Sequence, residues 1–99
     1  MRPAQYNIEV KKYVDHSITI VFPYDISDLT FYAFVLDFEG NTKLSYSVQK
    51  NNSEKTVQIT ARRADYSTME TGTYRWTFIQ EDSSGYRTEL ITGLWELQK

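Results

Sequence analysis

Apolar residues recur at every second position along most of this chain, the spacing that gives an extended strand one hydrophobic face. Tyr6, Ile8 and Val10 alternate with Asn7 and Glu9, and Ile18, Ile20 and Phe22 with Thr19 and Val21. The spacing returns at Leu44, Tyr46 and Val48, at Val57, Ile59 and Ala61, at Tyr74, Trp76 and Phe78, and in residues 86–97. Residues 30–38, "TFYAFVLDF", break the alternation but keep the strand-forming composition, which brings the expected number of strands to seven. No segment carries ten residues of the 3.6-residue period, so no long amphipathic helix is expected.

Turn chemistry divides the strands. Pro23 cannot donate to a ladder and ends the second strand. "EGN" at 39–41, "NNSE" at 51–54 and "DSSG" at 82–85 supply the residues that tight turns demand. Only 62–71, "RRADYSTMET", resists a strand reading; it is expected to form a short helical turn that crosses between sheets and is closed by Gly72. Seven short strands without a crossover helix read as an all-β fold, an antiparallel immunoglobulin-like β-sandwich filling residues 1–99 as one domain. Its core should take one alternate set from each strand: Ile18 and Ile20, Val57 and Ile59, Tyr74, Trp76 and Phe78, Trp95 and Leu97. Each large side chain so buried contributes about 1.5–3 kcal/mol. Gly93, inside the last strand, is read as a bulge that lets both Leu90 and Trp95 face inward.

Composition removes several function classes. At 99 residues the chain is long enough for one core that buries about two-thirds of its unfolded surface, and too short for two. The absence of cysteine excludes disulfides and thiolate metal sites. A formal charge of -2, with acidic and basic residues interspersed and only Lys11-Lys12 and Arg62-Arg63 clustered, argues against nucleic acid as a partner. No apolar run approaches the about 18 residues of a membrane span, and "MRPAQYNIEV" lacks a signal-peptide core, so no membrane partner is expected and synthesis in the cytoplasm is.

Catalytic patterns are missing. The one histidine, His16, lies in "VDHS"; Asp15, His16 and Ser17 are adjacent in sequence, and neighbours on a strand face opposite ways, so they cannot form a relay. The chain is therefore read as a non-enzyme, with no cofactor. Asp25 and Asp28 in "DISD" are the nearest approach to a calcium pattern, but hard cations take six or more oxygens and these acids suit backbone capping better, so no metal is expected.

The third strand carries the functional signal. Phe31, Ala33 and Val35 form one face and Tyr32, Phe34 and Leu36 the other, so both faces are apolar. Two readings stand for the second face: residues 62–71 fold over it, or it is bare until another protein covers it. Aromatic-rich faces of this sort are what interfaces favour. The first strand and residues 43–50 are the expected sheet edges, either open to pairing from a neighbouring chain or guarded against it by Lys43 and Lys50.

The segments "DLTFYAFV" (28–35), "GTYRWTF" (72–78), "SSGYRT" (83–88) and "LITGLWEL" (90–97), in this order, resemble the small sandwich domains of tailed-bacteriophage virion proteins, in particular the N-terminal domains of baseplate upper proteins and related tail and neck modules. The likeness covers residues 17–97. The chain departs from the pattern before Gly72, where Met69 stands in place of a Leu-rich segment. The resemblance implies no catalytic residue. It implies a structural adaptor in the virion, bound to other virion proteins and to copies of itself in a symmetric assembly, with Phe31, Ala33 and Val35 inward and Tyr32, Phe34 and Leu36 left for a partner. The alternative from a different class is a carbohydrate-binding or adhesion module, with Tyr24, Tyr66 and Tyr86 as the ring platform. A third is an inhibitor or immunity-type protein that plugs another protein's site.

Overall fold

The computed structural model describes residues 3–99. It has nine strands: β1 (Ala4–Gln5), β2 (Ile8–Lys11), β3 (His16–Val21), β4 (Thr30–Leu36), β5 (Thr42–Ser45), β6 (Ser47–Asn51), β7 (Thr56–Ala61), β8 (Gly72–Glu81) and β9 (Arg87–Gln98). The larger sheet runs β1-β9-β8-β4-β5, with β2 also on β9; the smaller runs β3-β7-β6. The fold is all-β in two sheets, as the alternation predicts.

Two differences from the sequence reading have clear causes. The sheet is mixed where an antiparallel one was expected, because β1 and β2 both pair with β9 in parallel, Ala4 opposite Ile91 and Ile8 opposite Trp95. Parallel neighbours need a long crossover, and here the rest of the domain supplies it. The other difference is at Tyr46. Leu44, Tyr46 and Val48 look like one strand, but the chain changes sheets there: Tyr46 N–H donates to Ala33 O on β4 at 2.9 Å, after which β6 joins β7. Leu44 and Tyr46 stay buried, whereas Val48 is exposed.

The core lies between the sheets. Phe31, Ala33, Val35, Trp76, Phe78, Trp95 and Leu97 enter it from the larger sheet, and Val57, Ile59 and Ala61 from the smaller. Phe31 and Phe78 stack at 5.5 Å, and Phe22 packs on Phe31 at 5.0 Å. Ile18, Ile20 and Tyr74 face inward but are only half-buried. Each tryptophan has an acceptor for its N–H, as a buried indole requires. Trp76 Nε1 donates to Tyr6 O at 2.6 Å, and Trp95 Nε1 to Tyr46 Oη at 2.8 Å. Tyr46 Oη in turn lies 3.0 Å from His16 Nε2 on β3, so a polar bridge crosses from one sheet to the other.

Gly93 is not a bulge. It pairs in register with Trp76, and the β8–β9 register shifts further along, between Phe78 and Ile79, where Leu90 is the extra residue. What Gly93 provides is room. A β-carbon there would collide with the Tyr6 carbonyl, whose carbon would lie 2.7 Å away. The missing side chain lets β1 and β2 lie along β9 while Tyr6 turns its carbonyl toward Trp76.

Turns follow the sequence signals. Asp37 Oδ1 accepts from the N–H groups of Glu39 and Asn41, and Gly40 takes a φ of 91°. Asp82 Oδ1 accepts from Ser84 and Tyr86, and Gly85 takes 90°. In the third turn the left-handed residue is Lys55. Residues 62–71 cross between the sheets through a 3₁₀ turn, Arg63–Asp65, as expected.

Candidate functional site

The outward face of the larger sheet is set by its inward one. Because Phe31, Ala33 and Val35 are buried, strand alternation sends Tyr32, Phe34 and Leu36 to the outside. Register places Ile79, Thr77 and Arg75 of β8 opposite those three, and Thr92 and Leu94 of β9 opposite Thr77 and Arg75. The apolar centre of the face is thus Tyr32, Phe34, Leu36, Ile79 and Leu94. Charges lie at its ends, Arg75 and Glu96 at one and Glu81, Arg87 and Glu89 at the other.

Of the two aromatic rings, Tyr32 is tied at its hydroxyl and over its face, and Phe34 stacks beside it. Tyr32 and Phe34 stack at 6.1 Å with 9° between their planes. Tyr32 donates its hydroxyl to Glu81 Oε2 at 3.1 Å, and the Arg87 guanidinium lies 4.7 Å over its ring centre. Arg87 Nε closes the clamp by donating to Glu81 Oε1 at 2.9 Å. The Arg87 hydrogen bond, with the Tyr32 hydroxyl assisting against some burial, keeps the Glu81 carboxyl below its usual range. Beneath the rings Thr77 donates to Glu89 and is buried despite facing outward. Fixed rings lose less freedom when a partner arrives.

Residues 62–71 do not cover this face. Tyr66 turns inward against Trp95, with its ring centre 6.0 Å away, and donates its hydroxyl to Val14 O; Met69 packs on the core. Tyr32, Phe34 and Leu36 are half-buried by their own sheet neighbours.

The other candidates scatter. His16 contacts Tyr46, Asp15 Oδ1 accepts from Arg63 N–H at 2.8 Å, and Ser17 is exposed. Asp25 accepts from the Ser27 backbone and hydroxyl, the capping role expected of it, and those bonds lower its pKa. Among the described residues no three His, Asp or Glu side chains converge on a metal position. Of the three tyrosines considered for a sugar platform, Tyr66 is 0% exposed and unavailable to any ligand. Tyr24 bonds Gln80 at 2.8 Å, and Tyr86 stands in the 82–86 turn; neither stacks with the other. Lys43 makes a 3.8 Å ion pair with Asp37 on the exposed surface. Lys50, expected to guard an edge, instead donates to the carbonyls of Ile26, Ser27 and Leu29 at 3.1, 3.0 and 2.7 Å.

Sequence reasoning missed Ile79 and Leu94 as members of the face. The signal was present, because Tyr74, Trp76 and Phe78 facing in leaves Arg75, Thr77 and Ile79 facing out. For β9 the Leu90 bulge hid it. Comparison with protein-family models and with curated proteins gives no match for this chain.

Proposed function

We propose that the protein is a non-enzymatic adaptor of a tailed-bacteriophage particle, bound to a neighbouring virion protein through the outward face of its larger sheet. The phage setting rests on the sequence resemblance. The binding face rests on one observation: a stacked aromatic pair, Tyr32 and Phe34, with the tyrosine clamped by Glu81 and Arg87, on a face that no described segment covers. An immunoglobulin-like topology is the finer fold reading. The strand order supports it, and so does the Tyr74 hydroxyl, which donates to Glu70 O at 2.7 Å, four residues upstream at the start of β8, the geometry of a tyrosine corner.

Rigid aromatic anchors at the centre of an interface each carry about 2 kcal/mol or more. Phe34→Ala should therefore weaken partner binding by about 30-fold or more while the domain stays folded. Mass spectrometry and electron microscopy of purified particles test the reading. The expected result is repeated copies of the chain, each with Tyr32 and Phe34 against a neighbour. Particles without the chain, or with that face in solvent, overturn it. The carbohydrate reading has lost Tyr66 and is favoured by no observation.

A further inference from the structure

The strand with the least protected edge is β3. Phe22 N–H donates to Lys55 O at 2.8 Å, in step with Ile20 opposite Val57 and Ile18 opposite Ile59. Even-numbered residues of β3 thus direct their backbone groups to β7, and those of Ser17, Thr19 and Val21 point the other way. β7 is the one strand that β3 pairs with, and no other described residue bonds to those groups. The remaining edges are better protected: β1 is only two residues long, β2 carries Glu9 and Lys11, β5 carries Lys43 beside a register shift, and β6 has the 26–29 turn tied to it by the Lys50 ammonium. β3, "HSITIV", has no Lys, Arg, Asp, Glu or Pro.

The side chains beneath this edge are also unfinished. Ile18 and Ile20 face the core yet stay half-buried, because they wall a cleft of about 370 Å³ between the sheets, floored by Trp76 and Ile91. A strand laid along β3 would take up the free backbone groups and close the cleft with its own inward side chains.

We propose that this occupant is β3 of a second copy, paired antiparallel about a two-fold axis at Thr19. The register is self-consistent. Centred on Thr19, the axis places Thr19 opposite itself and Ser17 opposite Val21, so the three residues with free backbone groups meet one another. Ile18 then lies beside Ile20 of the copy at the mouth of the cleft. No charge opposes a like charge, and Thr–Thr is a favourable cross-strand pair. The result is a six-stranded sheet shared by two domains, on a surface separate from Tyr32 and Phe34.

Cysteine crosslinking tests this cleanly, since the chain has no cysteine of its own. Hydrogen-bonded antiparallel pairs hold their α-carbons about 5.5 Å apart, within the reach of a disulfide. Thr19→Cys should give a disulfide dimer under mild oxidation, and Ser45→Cys, exposed on the other sheet, should not. Sedimentation analysis of the unmodified protein should show a monomer–dimer equilibrium, with Thr19→Lys raising the dissociation constant about tenfold or more while its melting temperature matches the wild type at dilutions where both are monomeric. Phe34→Ala should leave both results as they are, which separates this dimer from the adaptor face. A wild-type protein that stays monomeric, crosslinking no faster at 19 than at 45, or Thr19→Lys associating like wild type would each overturn the proposal.

Discussion

Replacing Tyr46 with Phe deletes one oxygen from the bridge between the sheets and leaves the ring that packs there. Trp95 is 0% exposed, and its indole N–H has the Tyr46 hydroxyl as acceptor. Because that oxygen accepts from Trp95, its own hydrogen is free to go to His16 Nε2, 3.0 Å away. Without the hydroxyl the indole N–H stays buried with no acceptor, at a cost of about 1–3 kcal/mol. Shape is retained, so no cavity cost is added. A loss near 2 kcal/mol lowers the melting temperature of a domain this size by about 8–16 °C. Urea unfolding followed by circular dichroism and tryptophan fluorescence would read it as a lower midpoint at unchanged slope. A loss below about 0.5 kcal/mol would refute the bridge as a source of stability.

Three further expectations concern His16, Gly93 and Lys50. Burial holds the His16 pKa below its ordinary 6.5, so the unfolded chain takes up that proton more readily than the folded one; stability should hold above pH 6.5 and fall as pH drops through that value. His16→Asn should flatten this slope between about pH 7 and pH 5, as unfolding midpoints across that range would show, and a persisting slope would assign it elsewhere. Asp37 and Asp82, whose pKa values are lowered first by the Asn41 N–H and by the Ser84 hydroxyl respectively, act only at more acidic pH. Gly93→Ala should cost about 1–3 kcal/mol and loosen β1 and β2 before the rest, seen as faster amide exchange at Tyr6 and Lys12, whose N–H groups bond Thr92 O and Gln98 O. Lys50→Met keeps the stem and removes the ammonium from three carbonyls, so a loss of about 1.5–3 kcal/mol is expected in thermal unfolding, with the 26–29 turn most affected.

What could be read from the chain was what a period of two encodes. Alternation marked Trp76 and Trp95 as core, and parity put Phe31 and Tyr32 on opposite faces, but with both faces of that strand apolar it did not say which one turned inward. Pairing partners are not in that signal. Tyr46 looks like the middle of one strand, and only the separation of the two sheets shows that it is the corner between two. The parallel seat of β2 on β9 joins residues 87 apart, as Leu94 N–H to Asn7 Oδ1 illustrates, and no local pattern carries such a contact. Tyr66 and Lys50 were misjudged for the same reason: a loop tyrosine and an edge lysine are polar by type, and their burial or bonding depends on backbone brought in from elsewhere. The outward face of the larger sheet was half legible, its β4 row visible as doubled hydrophobicity and its β9 row hidden by the Leu90 bulge.

The parallel pairing of β2 with β9 also governs how the domain bears load. The strands point the same way, so tension applied at the two chain ends drags them along each other in opposite directions. Four residue pairs, from Ile8–Trp95 to Lys11–Gln98, must then yield together, where a hairpin would unzip one pair at a time. A domain built this way resists shear between β2 and β9 without any covalent staple.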